Sequence, residues 1–350
     1  MTAPSQSGSF DTREVRALAE LFELARALGG VRWVQGPGGN CSIKVGDELW
    51  VKASGTRFAD VAEPGNQARV PLALAVRACE GDESADRNVF GRTPRPSLET
   101  YFHALGGPVV AHTHALGAML YACSSAPYAR QIEPGIVSIP YVRPGRGVAQ
   151  AMREVLAKGS AEQLCILRSH GIVAYADSAR RAIELTTRFD EAQRARAEKQ
   201  GGKLPAFEPL ADAYLAAPER SDVEGGVYRA LPVREARGSD PPRYLFPDAP
   251  VCASIVLVDS LADEPATVAR ALAEIGRACV LVDPSGVRLA VARTPAQLQQ
   301  TCEVAAAHDW LEDALRARGI ASYLPVHEPA AILSMPAEQY RMRLAATPSS

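Results

Sequence analysis

Two histidines stand one residue apart in an apolar run of the sequence, residues 109–116. Side chains of a β-strand alternate between its two faces, so His112 and His114 would project from the same face, roughly 7 Å apart along the chain. Two imidazoles on one face can bind the same ion. A catalytic zinc ion typically has three protein ligands and one open position. The pair therefore predicts a metal site, provided that a third ligand comes from another segment.

Two other residues favour a metal site over the commoner alternatives, a half-buried surface pair or a satisfied pair of core histidines. His170 follows a second apolar run and precedes Gly171, a residue type that lets the backbone turn sharply or approach a bound group closely. Glu99 stands at a predicted helix start, where its carboxylate is a candidate general base. The remaining histidines are predicted to orient a neighbour or to cover the core or the surface: His103, His308 and His327.

The composition excludes several classes of protein. The chain has 350 residues, 47% of them hydrophobic, which is enough for one large or two ordinary globular domains. A net charge of -2 gives no electrostatic reason to expect a nucleic acid or an anionic membrane as partner. The first ten residues lack the apolar core of a signal peptide, and no run approaches the roughly 18 apolar residues of a membrane span. We therefore expect a cytoplasmic protein.

The cysteines indicate a reducing compartment. Seven cysteines are widely spaced, and no Cys-X-X-Cys pair occurs. Most of them lie inside apolar runs, which is typical of reduced core residues. Cys41 is the exception, because it follows the glycine-rich stretch 36–40.

The hydrophobic periodicity predicts the elements that position the candidate residues. A capping box at Asp11 begins a helix, and strands 41–45 and 48–52 form a hairpin. Ser97 is the predicted N-cap of a short helix, whereas the polar stretch 80–95 is predicted to be a surface loop. Further helices are predicted at 116–123, 147–158 and 178–199, and further strands at 136–142 and 164–167. This alternation is typical of an α/β layered domain.

The pattern changes after residue 200. Proline, glycine and charge dominate from 201 to 244, and we predict a linker or a wrapping segment there. Apolar runs at 251–258 and 279–282 and a helix from about 294 to 318 predict a small second α/β unit over residues 245–340.

These motifs, in this order, resemble the class II (metal-dependent) aldolase/adducin family over roughly residues 12–200. Each motif alone is a weak signal, whereas five in the right order are specific. The shared segments are Gly38-Gly39-Asn40-Cys41-Ser42, Ser54-Gly55-Thr56, Pro96-Ser97-Leu98-Glu99, His112-Thr113-His114 and Ser169-His170-Gly171. Residues 49–55 and 95–100 and the C-terminal extension resemble more closely the aldolase half of bifunctional rhamnulose-phosphate aldolase/dehydrogenases, without the dehydrogenase half.

The resemblance implies a three-layer α-β-α domain with a mixed central sheet at residues 10–200, followed by a small C-terminal α/β extension. It implies a metal-dependent lyase, an aldolase that cleaves or forms a carbon–carbon bond in a sugar or sugar-phosphate ketose, often as a homotetramer. His112, His114 and His170 would bind Zn²⁺ or another divalent metal ion, and Glu99 would be the acid/base. The residues implied to hold the phosphate or equivalent anionic end of this small-molecule carbohydrate are Gly39, Asn40, Ser54, Gly55, Thr56 and Ser97.

The residue types suit this chemistry. Breaking a bond next to a carbonyl leaves electrons that must be held as an enediolate, and a cation bound to the flanking oxygens offsets that charge. Lys52, Arg143 and Arg146 could meet an anionic substrate, although solvated surface positions are expected for them. One departure concerns phosphate recognition, because Leu98 stands where the smaller sugar-phosphate aldolases carry a second serine before the glutamate.

Two other functions stay open. The same metal site and enediolate would serve the epimerisation or decarboxylation of a sugar acid or a related hydroxy-carbonyl compound, as in relatives of this family. The third function is a non-catalytic, adducin-like interaction module. Sequences of that kind can lose the metal ligands, and the intact set of three histidines argues against it.

Overall fold

The computed structural model describes residues 11–125, 131–156, 162–235 and 241–346. Eight strands of the described chain form one sheet: β1 (Asn40–Val45), β2 (Glu48–Lys52), β3 (Gln67–Pro71), β4 (Val109–Thr113), β5 (Gln131–Glu133), β6 (Ile136–Ile139), β7 (Gln163–Leu167) and β8 (Gly171–Ala176). Their order across the sheet is β3-β2-β1-β4-β8-β7-β6-β5. β6 and β7 are parallel and the other neighbours are antiparallel, so the sheet is mixed.

Helices cover both faces of this sheet. α1 (Thr12–Leu28), α5 (Leu116–Ala122) and α7 (Ala179–Gly201) pack on one face, and α2 (Leu72–Cys79), α3 (Glu83–Phe90), α4 (Thr100–His103) and α6 (Arg146–Val155) pack on the other. Alternation along β4 explains how one strand serves both layers, because Val109 and Ala111 enter the first core and Val110 enters the second. The predicted three-layer α-β-α arrangement with a mixed sheet is confirmed.

A second sheet of four strands follows. Its strands are β9 (Val227–Leu231), β10 (Ser254–Leu257), β11 (Cys279–Val282) and β12 (Arg288–Ala292). Their order is β10-β11-β12-β9, with β10 and β11 parallel. The helices of this part are α8 (Phe207–Ala216), α9 (Asp248–Cys252), α10 (Glu264–Ile275), α11 (Pro295–Arg316), α12 (Glu328–Leu333) and α13 (Pro336–Ala346). The predicted C-terminal α/β extension is thus present.

α11 connects the two sheets. It packs against α5 on the first sheet and against β9 and β12 of the second. Most of its residues are buried, including three acidic ones that have cationic or hydroxyl partners: Glu303, Asp309 and Glu312. Burial on nearly all sides is the expected state of a helix placed between two layers. No helix in the described ranges has the length and apolarity that a membrane span requires.

Several local predictions were wrong. The stretch 80–95 contains α3, which Asp82 caps by accepting hydrogen bonds from the backbone N–H groups of Ser84 and Ala85. Ala85 and Val89 are buried one turn apart, and this spacing is the helical signal that the polar composition obscured. Ser97 is not an N-cap, because α4 begins three residues later.

The segment predicted as a linker is partly regular. Residues 201–244 include α8 and β9, and β9 pairs with β12 as an edge strand of the second sheet. The apolar run 251–258 divides into the end of α9 and the strand β10. Short apolar runs do not distinguish buried helices from buried strands by periodicity, so the run alone did not predict this division.

Candidate active site

Three histidines from two segments of the chain converge at one end of the first sheet. The ring nitrogens of His112, His114 and His170 that could bind an ion all lie within 4.8 Å of one another, and all three side chains are buried. The Nε2 atoms of His112 and His114 are 3.2 Å apart. His112 and Thr113 are the last two residues of β4. His170 lies in the tight turn between the antiparallel strands β7 and β8. The convergence predicted from the sequence is therefore present in the fold.

The backbone allows this convergence at Gly171. A Cβ atom there would lie 2.5 Å from the carbonyl oxygen of Thr113 and 2.9 and 3.0 Å from ring carbons of His114 and His112. Such distances are too short for any side chain. Ser169, two residues earlier, has a φ of 52° and completes the turn that presents His170. The glycine therefore lets β8 approach the two histidines directly.

Glu99 lies beside the three imidazoles. Its Oε2 is 3.4 Å from Nε2 of His112, and its Oε1 is 3.2 Å from Nε2 of His170. The side chain amide of Asn40 donates a hydrogen bond of 2.6 Å to Glu99 Oε2. The β-register makes this possible, since Asn40 pairs with His112 across β1 and β4. Glu99 is thus held against the same point that the histidines face.

A chain of buried hydrogen bonds fixes Asn40. Its amide nitrogen also donates to Ser97 Oγ at 3.1 Å, and its amide oxygen accepts from Nε2 of His103. Nδ1 of His103 then accepts from the hydroxyl of Ser42 at 2.7 Å. Burial lowers the pKa of His103 to about 3, so this imidazole is neutral. The prediction that His103 orients a neighbour is confirmed.

Burial and charge set the protonation of the cluster. Burial lowers the pKa of His114 to about 3 and also lowers the pKa of His112. Burial alone would raise the pKa of Glu99, but His112, His170 and the Asn40 hydrogen bond together hold it well below its usual range. The pKa of His170 is raised, because the nearby Glu99 outweighs burial. At neutral pH the cluster therefore combines the neutral imidazoles of His112 and His114 with an ionised Glu99, which favours the protonated form of His170.

This donor set fits a divalent cation. Nδ1 of His112 lies 2.9 Å from the carbonyl oxygen of Ile172, so it carries the proton and leaves the lone pair on Nε2. That lone pair faces His114 Nε2 at 3.2 Å, close to the spacing of about 3.3 Å between two nitrogens that share a tetrahedral zinc ion. Among the described residues, no hydrogen-bond partner is found for the buried atoms Glu99 Oε1, His114 Nδ1 and His170 Nδ1. A shared cation would account for the approach of His112 and His114.

A cavity open to solvent is lined by Glu99, His114 and His170 of this cluster. Most of the residues implied to hold an anionic end of the substrate line it: Gly39, Asn40, Ser54, Gly55 and Ser97. Thr56 does not line it, because its hydroxyl donates to the carbonyl oxygen of Ala53. The Asn40 amide is also engaged by Glu99 and Ser97, as described above. The structure therefore brings all of the implied anion-binding residues except Thr56 to one cavity.

Lys52 corrects one expectation about the surface. It was expected to be solvated, but it is 2% exposed and lines the cavity. Its Nζ donates to the carbonyl oxygens of Thr56, at 2.6 Å, and Pro37, at 3.2 Å. Burial, with the charge of Arg341, lowers the pKa of Lys52 to about 8. The cavity thus contains an amino group for which the sequence analysis expected a solvated surface position.

The other two basic residues have acidic partners outside the cavity. Arg143 forms an ion pair with Glu328 at 2.7 Å, and Arg146 forms one with Asp86 at 2.8 Å. Neither arginine lines the cavity. Cys41 is buried, and burial raises the pKa of its thiol to about 12, which leaves no reactive thiolate.

The C-terminal part supplies residues to the same cavity. Asp248, which begins α9, and Glu338 and Arg341 of α13 line it together with His114 and His170. Arg341 donates to Asp248 at 2.9 Å and to Glu338 at 3.1 Å. Sequence reasoning missed all three, since no local motif links them to the distant segments that carry the histidines.

A second histidine–acid cluster lies on α11. His308, Asp309 and Glu312 offer ligand atoms within 4.8 Å of one another. Each has a protein partner: His308 Nε2 accepts from the backbone N–H of Leu245, Asp309 pairs with Arg288 at 2.8 Å, and Glu312 accepts from a tyrosine hydroxyl. His308 therefore belongs to the packed interior, as predicted. His327 has a side chain that is 77% exposed, which agrees with the predicted surface position.

The comparison with protein families agrees with this geometry. A model of the class II aldolase and adducin N-terminal domain matches residues 19–196, about half of the chain. The chain belongs to this family. The class II aldolase match includes both β4 with its histidine pair and the turn that carries His170. It ends before the second sheet, so Asp248, Glu338 and Arg341 lie outside it.

Two curated relatives each match about half of this class II aldolase-family chain. A 5-methylthioribulose-1-phosphate/5-deoxyribulose-1-phosphate aldolase of Rhodospirillum rubrum is 27% identical over 184 residues, 49% of this chain and 76% of that protein. An uncharacterized oxidoreductase of Bacillus subtilis, YuxG, is 26% identical over 196 residues, 49% of this chain. The match spans only 28% of the length of the Bacillus protein.

Solved structures also match slightly more than half of this class II aldolase-family chain. The N-terminal class II aldolase domain of a conserved protein from Thermoplasma acidophilum is 24% identical, with a TM-score of 0.45, over 56% of this chain and 99% of that one. The L-fuculose-1-phosphate aldolase of Thermus thermophilus is 17% identical, with a TM-score of 0.40, over 53% of this chain and 95% of that one.

Proposed function

We propose that this class II aldolase-family chain is a metal-dependent lyase that cleaves or forms a carbon–carbon bond in a small ketose with an anionic end, a sugar phosphate in the first instance. The observation that carries the proposal is the convergence of His112, His114 and His170 on one point, with Glu99 3.2 to 3.4 Å from two of their Nε2 atoms. The aldolase of Rhodospirillum rubrum, which acts on phosphorylated ribuloses by its name, supports this substrate class.

The three histidines would hold the metal ion, for which zinc is the first candidate. The ion would offset the negative charge that develops beside the substrate carbonyl when the adjacent bond breaks. The histidines suit this role because burial keeps His112 and His114 neutral, so a bound cation would retain its charge. Their rings are fixed in the core, which limits the reorganisation that binding would require.

Glu99 is the proposed acid/base. Its carboxylate is ionised and lies at the point that the histidines face, so it can accept a proton from the substrate carbon or hydroxyl and return it. The hydrogen bond from Asn40 holds Oε2, which leaves Oε1 without a hydrogen-bond partner. Asn40 is therefore proposed to orient Glu99 in addition to its implied substrate contact.

The anionic end of the substrate would lie at the other side of the cavity. The Ser54 hydroxyl, the backbone at Gly39 and Gly55, and Ser97 are the proposed contacts, with Lys52 supplying a positive charge. Lys52 would offset part of the loss of the second serine hydroxyl at position 98, because an ammonium group binds phosphate oxygens strongly. Thr56 is proposed to act through its backbone, since its carbonyl accepts from Lys52.

Epimerisation or decarboxylation would begin with the same carbanion chemistry, and substrate screening separates these outcomes. The purified protein would be assayed against phosphorylated and unphosphorylated ketoses, with aldehyde release as the readout, and against sugar acids. Aldehyde release from a phosphorylated ketose supports the proposal. Release of carbon dioxide, or epimer formation without cleavage, would replace it by the alternative. A protein without metal after purification with zinc would exclude both. Homotetrameric assembly and a cytoplasmic location stay predictions from the sequence.

A further inference from the structure

Asp248 joins the C-terminal part of the chain to the histidine cluster. Its Oδ2 lies 3.2 Å from Nδ1 of His114, a buried nitrogen that no hydrogen bond satisfies in this ring orientation, and both side chains are buried. We propose that Asp248, held in place by Arg341, is a positioning residue that fixes the ring of His114 for metal binding. The proposal rests on the proposed function only in requiring that the three histidines bind a metal ion.

The two nitrogens of His114 face different partners. Nε2 is 3.2 Å from Nε2 of His112, inside the ligand cluster, and Nδ1 is on the side of Asp248. An ionised carboxylate can accept a hydrogen bond but cannot donate one. Asp248 beside Nδ1 therefore favours the tautomer of His114 that has the proton on Nδ1 and the lone pair on Nε2. Metal-binding histidines usually donate their second ring N–H to a carboxylate or carbonyl, which fixes the ring and strengthens the ligand.

His112 has the same kind of support, a hydrogen-bond acceptor beside its Nδ1. Its Nδ1 is 2.9 Å from the carbonyl oxygen of Ile172, a backbone acceptor inside the first sheet. Asp248 would supply the corresponding acceptor for His114 from outside that sheet. His114 lies one residue beyond the end of β4, where the ladder of the sheet no longer provides carbonyl groups in register. A second acceptor from another part of the chain therefore has a specific use at this position.

Arg341 determines where the Asp248 carboxylate points. Its Nη2 donates to Asp248 Oδ1 at 2.9 Å, and its Nη1 donates to Glu338 Oε1 at 3.1 Å. Oδ1 of Asp248 is thereby occupied, and Oδ2 remains for His114. The guanidinium is planar and presents its donors in a fixed geometry, so it orients the carboxylate as well as neutralising it. Glu338 and Arg341 both lie on α13, so this helix supports the contact.

Gly38 supplies a second, independent observation. A Cβ atom at this residue would lie 2.9 Å from both Nδ1 of His114 and Oδ2 of Asp248. The loop therefore passes directly over the contact between these two atoms, and a glycine leaves room for it. The glycine-rich loop is thus matched in shape to the Asp248–His114 pair.

A purely structural role for Asp248 is the competing explanation, since its pair with Arg341 also connects α9 to α13. Asp309 provides a matched control for that explanation. It is a buried aspartate in the same part of the chain and pairs with Arg288 at 2.8 Å, but its histidine neighbour is not in the ligand cluster. Asp248→Asn and Asp309→Asn each remove one buried carboxylate charge from an arginine, and only the first removes it from a predicted metal ligand.

The test measures metal affinity rather than turnover. Zinc dissociation constants of the wild type and the two variants would be determined by competition with a chromophoric chelator, with circular dichroism as the check on folding. We expect Asp248→Asn to bind zinc about 10- to 100-fold more weakly. Asp309→Asn should match the wild type within about twofold, because the sites are independent. Asp190→Asn, which loses a 2.8 Å pair with Arg32, replaces this control if Asp309→Asn does not fold.

Equal zinc affinity in folded Asp248→Asn and wild-type protein would overturn the inference and leave the proposed function intact. A wild type that binds no metal would instead overturn the proposed function. If Asp248→Asn does not fold, a measurement on the wild-type protein tests the inference instead. In the cobalt-substituted protein, the Nδ1–H of His114 should give a hyperfine-shifted proton signal that exchanges slowly with water. Its absence, or coordination through Nδ1, would contradict the inference.

Discussion

Two clusters of histidine and acidic side chains in the described residues offer metal-ligand atoms close together, but the partners of those atoms differ. One contains His112, His114 and His170 beside Glu99, and the other contains His308, Asp309 and Glu312. In the first cluster the ring nitrogens of two histidines face each other at 3.2 Å, and buried polar atoms lack hydrogen-bond partners. In the second cluster a backbone N–H, an arginine and a tyrosine occupy the ligand atoms. The comparison shows that the partners of the donor atoms, more than their types, indicate a metal site.

The largest expected effect comes from removing one histidine in each cluster. His170→Gln should weaken zinc binding by at least about 100-fold, more than the loss of a supporting carboxylate. His308→Gln should leave zinc binding unchanged, because glutamine can still accept the hydrogen bond of Leu245. Zinc content after dialysis against a weak chelator measures both. Loss of zinc in His308→Gln alone would reverse the assignment of the two clusters.

Glutamates give the next comparison. Glu99→Gln should retain zinc and lose about 10²- to 10⁴-fold in kcat, because the amide cannot accept a proton. Glu312→Gln should keep its kcat, since Glu312 accepts from Tyr323 in the packed interior. Steady-state assays on the substrate identified by screening, with zinc content as the control, distinguish the two. Full activity in Glu99→Gln would show that another group moves the proton.

Substitution of Lys52 should have a smaller effect, on KM, and this effect should depend on pH. Its pKa of about 8 means that the Nζ is an ammonium group below that pH and a neutral amine above it. The KM of an anionic substrate should therefore rise as the pH increases through about 8. Lys52→Met should raise KM about 10- to 100-fold at pH 7, by the loss of a charge-assisted hydrogen bond, and remove this pH dependence. A variant with unchanged KM would place the anion elsewhere.

Two glycines sharpen the comparison at the level of backbone packing. Gly171→Ala should destabilise the protein by about 1 to 3 kcal/mol, because the new methyl group meets Thr113 and the rings of His112 and His114. A Cβ atom at Gly30 would have a single neighbour, a ring carbon of Trp33 at 3.8 Å, so Gly30→Ala should change stability little. Thermal unfolding with and without zinc provides the measurement. Gly171→Ala should also lose part of the stabilisation by zinc, and a full zinc-induced shift would contradict the role of Gly171.

Local patterns in the sequence are enough to predict the first sheet and the site residues that it carries. Alternation predicts that His112 and His114 share a face, and the apolar runs predict the strands that bring His170 to them. Lys52 could have been recognised as buried, because it continues the run Leu49, Trp50 and Val51 into the end of β2. α3 was missed because only two of its residues, Ala85 and Val89, are fully buried.

The C-terminal contribution could not be predicted from spacing. Asp248, Glu338 and Arg341 form no motif, and their approach to His114 depends on the docking of α9 and α13 against α11 and the first sheet. Such contacts between distant segments have no local period, so sequence patterns leave them undetermined. The family match, which ends at residue 196, did not extend to them either.

The position of α13 has a consequence for substrate choice. This helix places Arg341 and Glu338 on the wall of the cavity, and Leu344 lies against Gly55 in the loop proposed to bind the anion. On the proposed function, the first half of the chain would supply the metal ligands and the acid/base, whereas α13 would form part of the cavity wall. Replacing Leu344, which leaves Arg341 and its pair with Asp248 in place, should therefore change which sugar is accepted while the bond-breaking chemistry is conserved.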